Sequence, residues 1–382
     1  MNKWNESTSN WDPIYWPTTI GMTVGRGYIV AAPGSFGTAT FAGTLNTGTQ
    51  GPYTLNHSSG TYKGWNLEGN PFPSSIAFAS LTRSNVDGGA YVWKPNYNAP
   101  DYGGNYVVYV TGGYTDPWGY GSFDGNIAPE QAFFVHVTSG SSGLLSIPNT
   151  ARIHGGTFLK GAPADALTLT ANGNGIDDAA MVVFRPQATT GFDPEYDAYK
   201  LFGSSNAPQL YFIAGDDNLS INTLPDVSVH PVIPVGYTVG VSGENTITVS
   251  GMESFTSGVD LYLEDLLTSR IQDLNMNPVY TFTAAPGQPA HRFNLHFAAV
   301  GINDTKNYND ITIYSNDKTI YVNLNEAMQG DIIVYNILGM EVGRKQITGN
   351  SLNKLDLNLS TGYYVVQVLG NSKSMSNKVF IR

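Results

Sequence analysis

The stretch "GYYVVQVLGNSKSMSNKVFIR" (Gly362–Arg382) is where the fold can be read most directly. Two apolar runs flank the polar, turn-rich "LGNSKSMSN" (Leu369–Asn377). Successive side chains of a strand point to opposite faces. Tyr364, Val366 and Val368 therefore share one face of the first run, and Val379 and Ile381 share one face of the second. This is the pattern of an antiparallel hairpin with one side in a core and the other in water. Lys378 and Arg382 bracket the closing strand. Removing residues 378–382 should strip that strand from its sheet and leave an unpaired edge.

The same alternation extends outward. Upstream lie Leu355, Leu357 and Leu359, then Ile320 and Val322, then Ile311 and Ile313. Residues 305–382 thus hold about seven short strands, the count of a small immunoglobulin-like sandwich. Further back come "NYVVYV" (Asn105–Val110), "QAFFVHV" (Gln131–Val137), "ALTLTA" (Ala166–Ala171), "AAMVVF" (Ala179–Phe184), "NTITVS" (Asn245–Ser250) and "RFNLHF" (Arg292–Phe297). Turn signals rich in Gly, Asn, Asp and Pro separate these runs, as in sandwiches and barrels. Composition agrees: 43 Gly, 23 Tyr and 17 Phe with 13% charged residues suit strands and turns rather than helices. "VDLYLEDLLTSRIQDLN" (Val259–Asn275) fits either a helix face or strand–turn–strand; the period-two start at Val259, Leu261 and Leu263 favours the second.

The fold class expected is all-β: tandem β-sandwiches of jelly-roll or adhesin-like type, followed by an Ig-like C-terminal sandwich. Gly/Pro-rich and polar seams at His154–Asp165 and Val300–Asp310 set the domains at 1–155, 156–300 and 305–382.

The chain has no cysteine, which excludes disulfides, zinc-thiolate sites and thiol nucleophiles. The net charge of −11 sits in the body, while residues 305–382 are close to neutral. No basic stripe is present to neutralise phosphates, so nucleic acid is not an expected partner. No apolar run approaches the ~20 residues that span a bilayer. "MNKWNESTSNWDP" lacks an apolar h-region, so a native signal peptide is expected to be absent from this chain.

The C-terminal motifs carry a resemblance. "IIVYNILGMEV", "LDLNLSTGYYVVQV" and the final "SNKVFIR" together resemble the type A C-terminal sorting domain of the type IX secretion system. Val334, Tyr335, Asn336 and Gly339 match its strand-and-turn motif. Gly362, Tyr364, Val365, Val366 and Val368 match its penultimate strand, and Lys378, Val379, Phe380, Ile381 and Arg382 its terminal one. The resemblance implies partners in the outer-membrane translocon and its shuttle protein. It also implies passage through the periplasm to the cell surface or the outside. "GWNLEGNPFPSSI" (Gly64–Ile76), "AYVWKP" (Ala90–Pro95), "IAPEQAFFVHV" (Ile127–Val137) and "DDAAMVVFRPQATTGFDPEYDAYKLFG" (Asp177–Gly203) resemble adhesin-like β-sandwich modules that precede such domains.

Candidate chemistry in the body is sparse. Asp177 and Asp178 with Asp193 and Asp197 offer oxygen ligands in the spacing of a loop that wraps calcium, although the EF-hand pattern is absent. The long aromatic loop Val110–Gly125 offers Asp116, Trp118, Tyr120 and Asp124 as a glycan-binding set. Glu264 and Asp265 are adjacent, so on a strand they face opposite sides and cannot form a hydrolytic carboxylate pair. His291 and His296 are split the same way. No Gly-x-Ser-x-Gly elbow anchors a hydrolase triad. The expected protein is therefore not an enzyme but the adhesin-like C-terminal region of a larger surface or secreted protein. The alternatives are a carbohydrate-binding accessory region of a secreted polysaccharide-degrading enzyme and a fibre-forming subunit.

Overall fold

The computed structural model describes residues 1–15, 21–30, 43–95, 103–115, 123–154, 164–227, 231–255, 259–298, 311–324, 327–349, 352–370 and 374–382. Its regular elements are strands, with a few single 3-10 turns. The described chain divides into two compact units. The first is Met1–Pro225 with Gly236–Ser254 and Thr281–His291; the second is Asp226–Val235 and Phe255–Tyr280 with Arg292–Arg382.

At the centre of the first unit is a five-stranded antiparallel sheet. Its order is Gly113–Thr115, Gly104–Val110, Ala90–Pro95, Ala132–His136 and Trp65–Gly69. Both faces of the sheet are buried, and most of its strands put apolar residues on each. Val92, Val107, Phe133 and Val135 point into one core with Leu55, Ile76, Phe78, Leu145 and Ile147. Tyr91, Val108, Phe134 and Trp65 point into another, with Ala166, Met181, Val183 and Ile221.

That second core draws on residues from both sides of the seam at His154–Asp165. Strands Ala166–Gly173 and Ile176–Phe184, assigned by sequence to a separate second sandwich, share a core with the central sheet. The segments on either side of His154–Asp165 therefore pack as one unit. Residues 155–163 of that seam lie outside the described residues.

Strand Trp65–Gly69 also carries Glu68, which is fully buried beside the Arg26 guanidinium. Its Oε2 has no partner among the described residues. Burial pushes this carboxyl up to about 8, and the Arg26 guanidinium opposes the shift. A folded pKa above the unfolded one means that the folded chain holds a proton the unfolded chain has already released. This stabilisation is present below about 4.5 and is lost as pH rises through about 8. Glu68→Gln is expected to flatten the fall in urea midpoint between mildly acidic and mildly alkaline pH.

In the second unit, Asp260–Asp265 runs antiparallel to Arg270–Asp273 and to His291–Ala298. Val259–Asn275 is thus strand–turn–strand, with Ser269 at φ +56 in the turn. Residues 311–382 form a two-sheet sandwich. A three-stranded sheet orders Ile311–Asn316, Thr319–Leu324 and Leu352–Asp356. A four-stranded sheet orders Glu341–Gly349, Met328–Tyr335, Gly362–Gly370 and Ser374–Ile381. Ile313, Ile320, Val322, Ile332, Val334, Leu355, Val366, Val368 and Ile381 fill the space between them.

Candidate functional sites

The three C-terminal motifs meet in the four-stranded sheet. The turn after Met328–Tyr335 is built by Asn336. Its Oδ1 accepts the backbone N–H groups of Leu338 and Met340, both at 3.0 Å, and its carbonyl accepts the Gly339 N–H at 3.0 Å. Gly339 sits at φ +77, the left-handed region that costs an L side chain roughly 1–2 kcal/mol. The Asn-x-x-Gly spacing is thus the chemistry of one tight turn. Its tip exposes Ile337, Leu338 and Met340. On the adjoining strand, the Tyr335 hydroxyl lies 3.4 Å from Gln367 Oε1.

Gly362–Gly370 pairs with Ser374–Ile381 in a register that sets Gly362 opposite Ile381 and Tyr364 opposite Val379. Tyr364, Val366, Val368, Val379 and Ile381 are buried, and the Tyr364 hydroxyl donates to the Ser360 carbonyl at 2.8 Å. The other face of the terminal strand looks outward. The Lys378 ammonium stands 4.6 Å from the Tyr363 ring centre, and the Tyr363 and Phe380 rings are 5.0 Å apart. At the end, the Arg382 N–H donates to the Asp317 carbonyl at 3.2 Å. The motif therefore splits by parity into a core-forming row and an exposed cation–aromatic row.

The proposed calcium ligands are each held by protein partners. Asp177 accepts from the Asn172 amide. Asp178 is buried against the Lys200 ammonium and accepts the Leu210 N–H at 2.6 Å. Asp193 accepts from the Thr189 N–H at 2.6 Å, and Asp197 from the Asp193 and Thr223 N–H groups at 2.7 and 2.6 Å. No group of three or more His, Cys, Asp or Glu side chains suited to a metal occurs among the described residues. Of the glycan-binding set, Asp116, Trp118 and Tyr120 lie outside the described residues. Asp124 closes a local turn, accepting the Asn126 N–H at 3.1 Å and its side-chain amide at 2.7 Å.

A different aromatic cluster stands in the first unit. Strands Asn2–Asn5 and Asn10–Pro13 form a hairpin that sets Trp4 opposite Trp11, with ring centres 5.3 Å apart. Trp4 packs edge-on to Phe134 at 5.6 Å, and its indole N–H donates to the Trp65 carbonyl at 2.7 Å. Beside them, Trp93 sits opposite Tyr106 across two strands, with centres 5.1 Å apart. These rings line a cleft of about 280 Å³, with Tyr62 and Phe202 exposed at its rim and the Ser9 and Ser204 residues among its walls. The signal in the sequence was the pair of tryptophans flanking "NESTSN", a cross-strand aromatic pair across a turn.

Two family comparisons cover nearly the whole chain. The sequence model of a family described as "Domain of unknown function (DUF8693)" matches residues 1–297. That of the "Secretion system C-terminal sorting domain" matches residues 309–382. No curated protein matches the chain. The sorting domain makes the chain a client of the type IX secretion machinery, bound for the cell surface or the extracellular space. No helix among the described residues is long and apolar enough to cross a membrane. The chain belongs to the DUF8693 family and carries, behind that domain, a type IX C-terminal sorting domain.

Proposed function

We propose that the body is a non-catalytic, adhesin-like contact module that the sorting domain delivers to the cell exterior, and that it touches glycans through the Trp4–Trp11 cleft. The observation that carries this reading is the cleft itself. Ring faces and edges gathered on a β scaffold suit the apolar C–H faces of sugars, and hydroxyl-bearing serines in the wall can meet sugar hydroxyls. The acidic body favours neutral glycans, since anionic ones would be repelled. The same chemistry supports the accessory-region reading, in which the module holds a polysaccharide for an enzyme.

The rim rings Tyr62 and Phe202 are half-exposed, so their removal tests binding with little cost to folding. The full chain is expected to bind a neutral oligosaccharide on a glycan array. Tyr62→Ala and Phe202→Ala are each expected to weaken it by about tenfold, the equivalent of ~1.4 kcal/mol. Unchanged binding in both variants would remove the cleft from this reading.

A further inference from the structure

Within the second unit, two sheet faces meet around one carboxylate. The strands Asp260–Asp265 and His291–Ala298 set Tyr262 opposite His296 and Glu264 opposite Asn294, so these four side chains share a face. The three-stranded sheet of the sorting domain sets Tyr314 opposite Tyr321, Tyr321 opposite Lys354, and Asn323 opposite Leu352. This is the face turned away from Ile313, Ile320, Val322 and Leu355, which build the sorting domain's own core.

Glu264 is fully buried. Its Oε2 lies 3.1 Å from the Asn294 amide nitrogen and 3.0 Å from His296 Nε2, both on its own side. From the sorting domain, the Tyr321 hydroxyl donates to Oε2 at 3.1 Å and the Lys354 ammonium to Oε1 at 2.5 Å. Around this hub, the Tyr262 hydroxyl donates to Asn323 Oδ1 at 2.8 Å, and the Tyr314 hydroxyl lies 3.0 Å from His296 Nδ1. The Tyr314 and Tyr321 rings stack at 5.2 Å, and the His296 ring lies 4.7 Å from Tyr321.

A carboxylate withdrawn from water is costly unless its oxygens are fully bonded and its charge is met. Here the body supplies two partners, Asn294 and His296, and the sorting domain supplies two more, the Tyr321 hydroxyl and the Lys354 ammonium. A partly seated arrangement would strand a buried charge, so seating is all-or-none. Registered rows on both faces give the contact one geometry.

We propose that the face bearing Tyr262, Glu264, Asn294 and His296 is a built-in receptor for the sorting domain of its own chain. Glu264 locks it, so the domain stays seated after the connection between residues 298 and 311 is cut. The test uses the full chain with a protease site placed within residues 299–310, cut while folded and run on a sizing column. The wild-type fragments are expected to co-elute, as are those of Lys354→Arg, which keeps the cation. Lys354→Met, and Glu264→Gln from the opposite face, are expected to release the small fragment at protein concentrations at least about tenfold higher than the wild type does. Near-ultraviolet dichroism before cutting shows whether each variant is folded. Separation of the wild-type fragments would overturn the receptor. Co-elution of both variants as tightly as the wild type would overturn Glu264 as its lock.

Discussion

Deleting Lys378–Arg382 is expected to unfold the sorting domain within the full chain. The deletion takes Val379 and Ile381 out of the core, each worth about 1.5–3 kcal/mol when fully buried. It removes the pairing of Gly362–Val365 with the terminal strand, together with the 2.8 Å bond from the Ser315 hydroxyl to the Phe380 carbonyl. The sum approaches the ~5–15 kcal/mol that holds a whole domain together. Limited proteolysis should therefore degrade residues 309–382 of the shortened chain while leaving the first unit intact. In a host with working type IX machinery, the shortened protein should be retained in the periplasm. Lys378→Ala is the contrasting variant. It removes an exposed cation–π contact worth about 0.5–1 kcal/mol and should keep protease resistance. A shortened chain that resists protease as well as the wild type would contradict the role assigned to the terminal strand.

Lys200→Met is expected to destabilise the first unit by about 3–5 kcal/mol, because it leaves Asp178 as a buried charge without a counter-ion. Burial already pushes the Asp178 carboxyl above its ordinary value, against the pull of the Lys200 ammonium. Without that ammonium the carboxyl must take up a proton to remain buried. The deficit of the variant should therefore be small at acid pH and grow as pH rises, which urea midpoints at several pH values would show. Asp178→Asn in the same chain should recover most of the loss, since an amide oxygen can still accept the Leu210 N–H without carrying charge. A double variant no more stable than Lys200→Met would show that packing, not charge, is what Lys200 supplies.

The inward rows of the strands were legible in the sequence because burial imposes a period of two. Ile320 and Val322 announce a core, as do Val366, Val368, Val379 and Ile381, and the structure places them there. The outward rows were not legible. Tyr321 and Asn323 alternate with those same residues, and nothing nearby in the sequence shows that Glu264 and Tyr262 meet them. The reading of Glu264 and Asp265 as facing opposite sides was sound: Asp265 turns to Arg292 and Tyr280, and Glu264 turns to the sorting domain. Its consequence, a charged hub rather than an idle surface, needed tertiary distances. Likewise, the Asn70 side-chain amide braces its own neighbourhood, reaching the Ser74, Ile127 and Ala128 carbonyls, two of which lie nearly sixty residues away in the sequence. The aromatic cleft draws on residues from Trp4 to Ser204, a span over which periodicity carries no information.

The central sheet of the first unit gives its odd and even residues to different interiors. Phe133 and Val135 belong to one and Phe134 to the other. A slip of one position would swap the contents of both at once, so neither could compensate for the other. Insertions and deletions within Ala90–Pro95, Gly104–Val110 or Ala132–His136 should therefore be ruinous. The connecting segments are where a change of length leaves that frame undisturbed, so new recognition surfaces can be tried there.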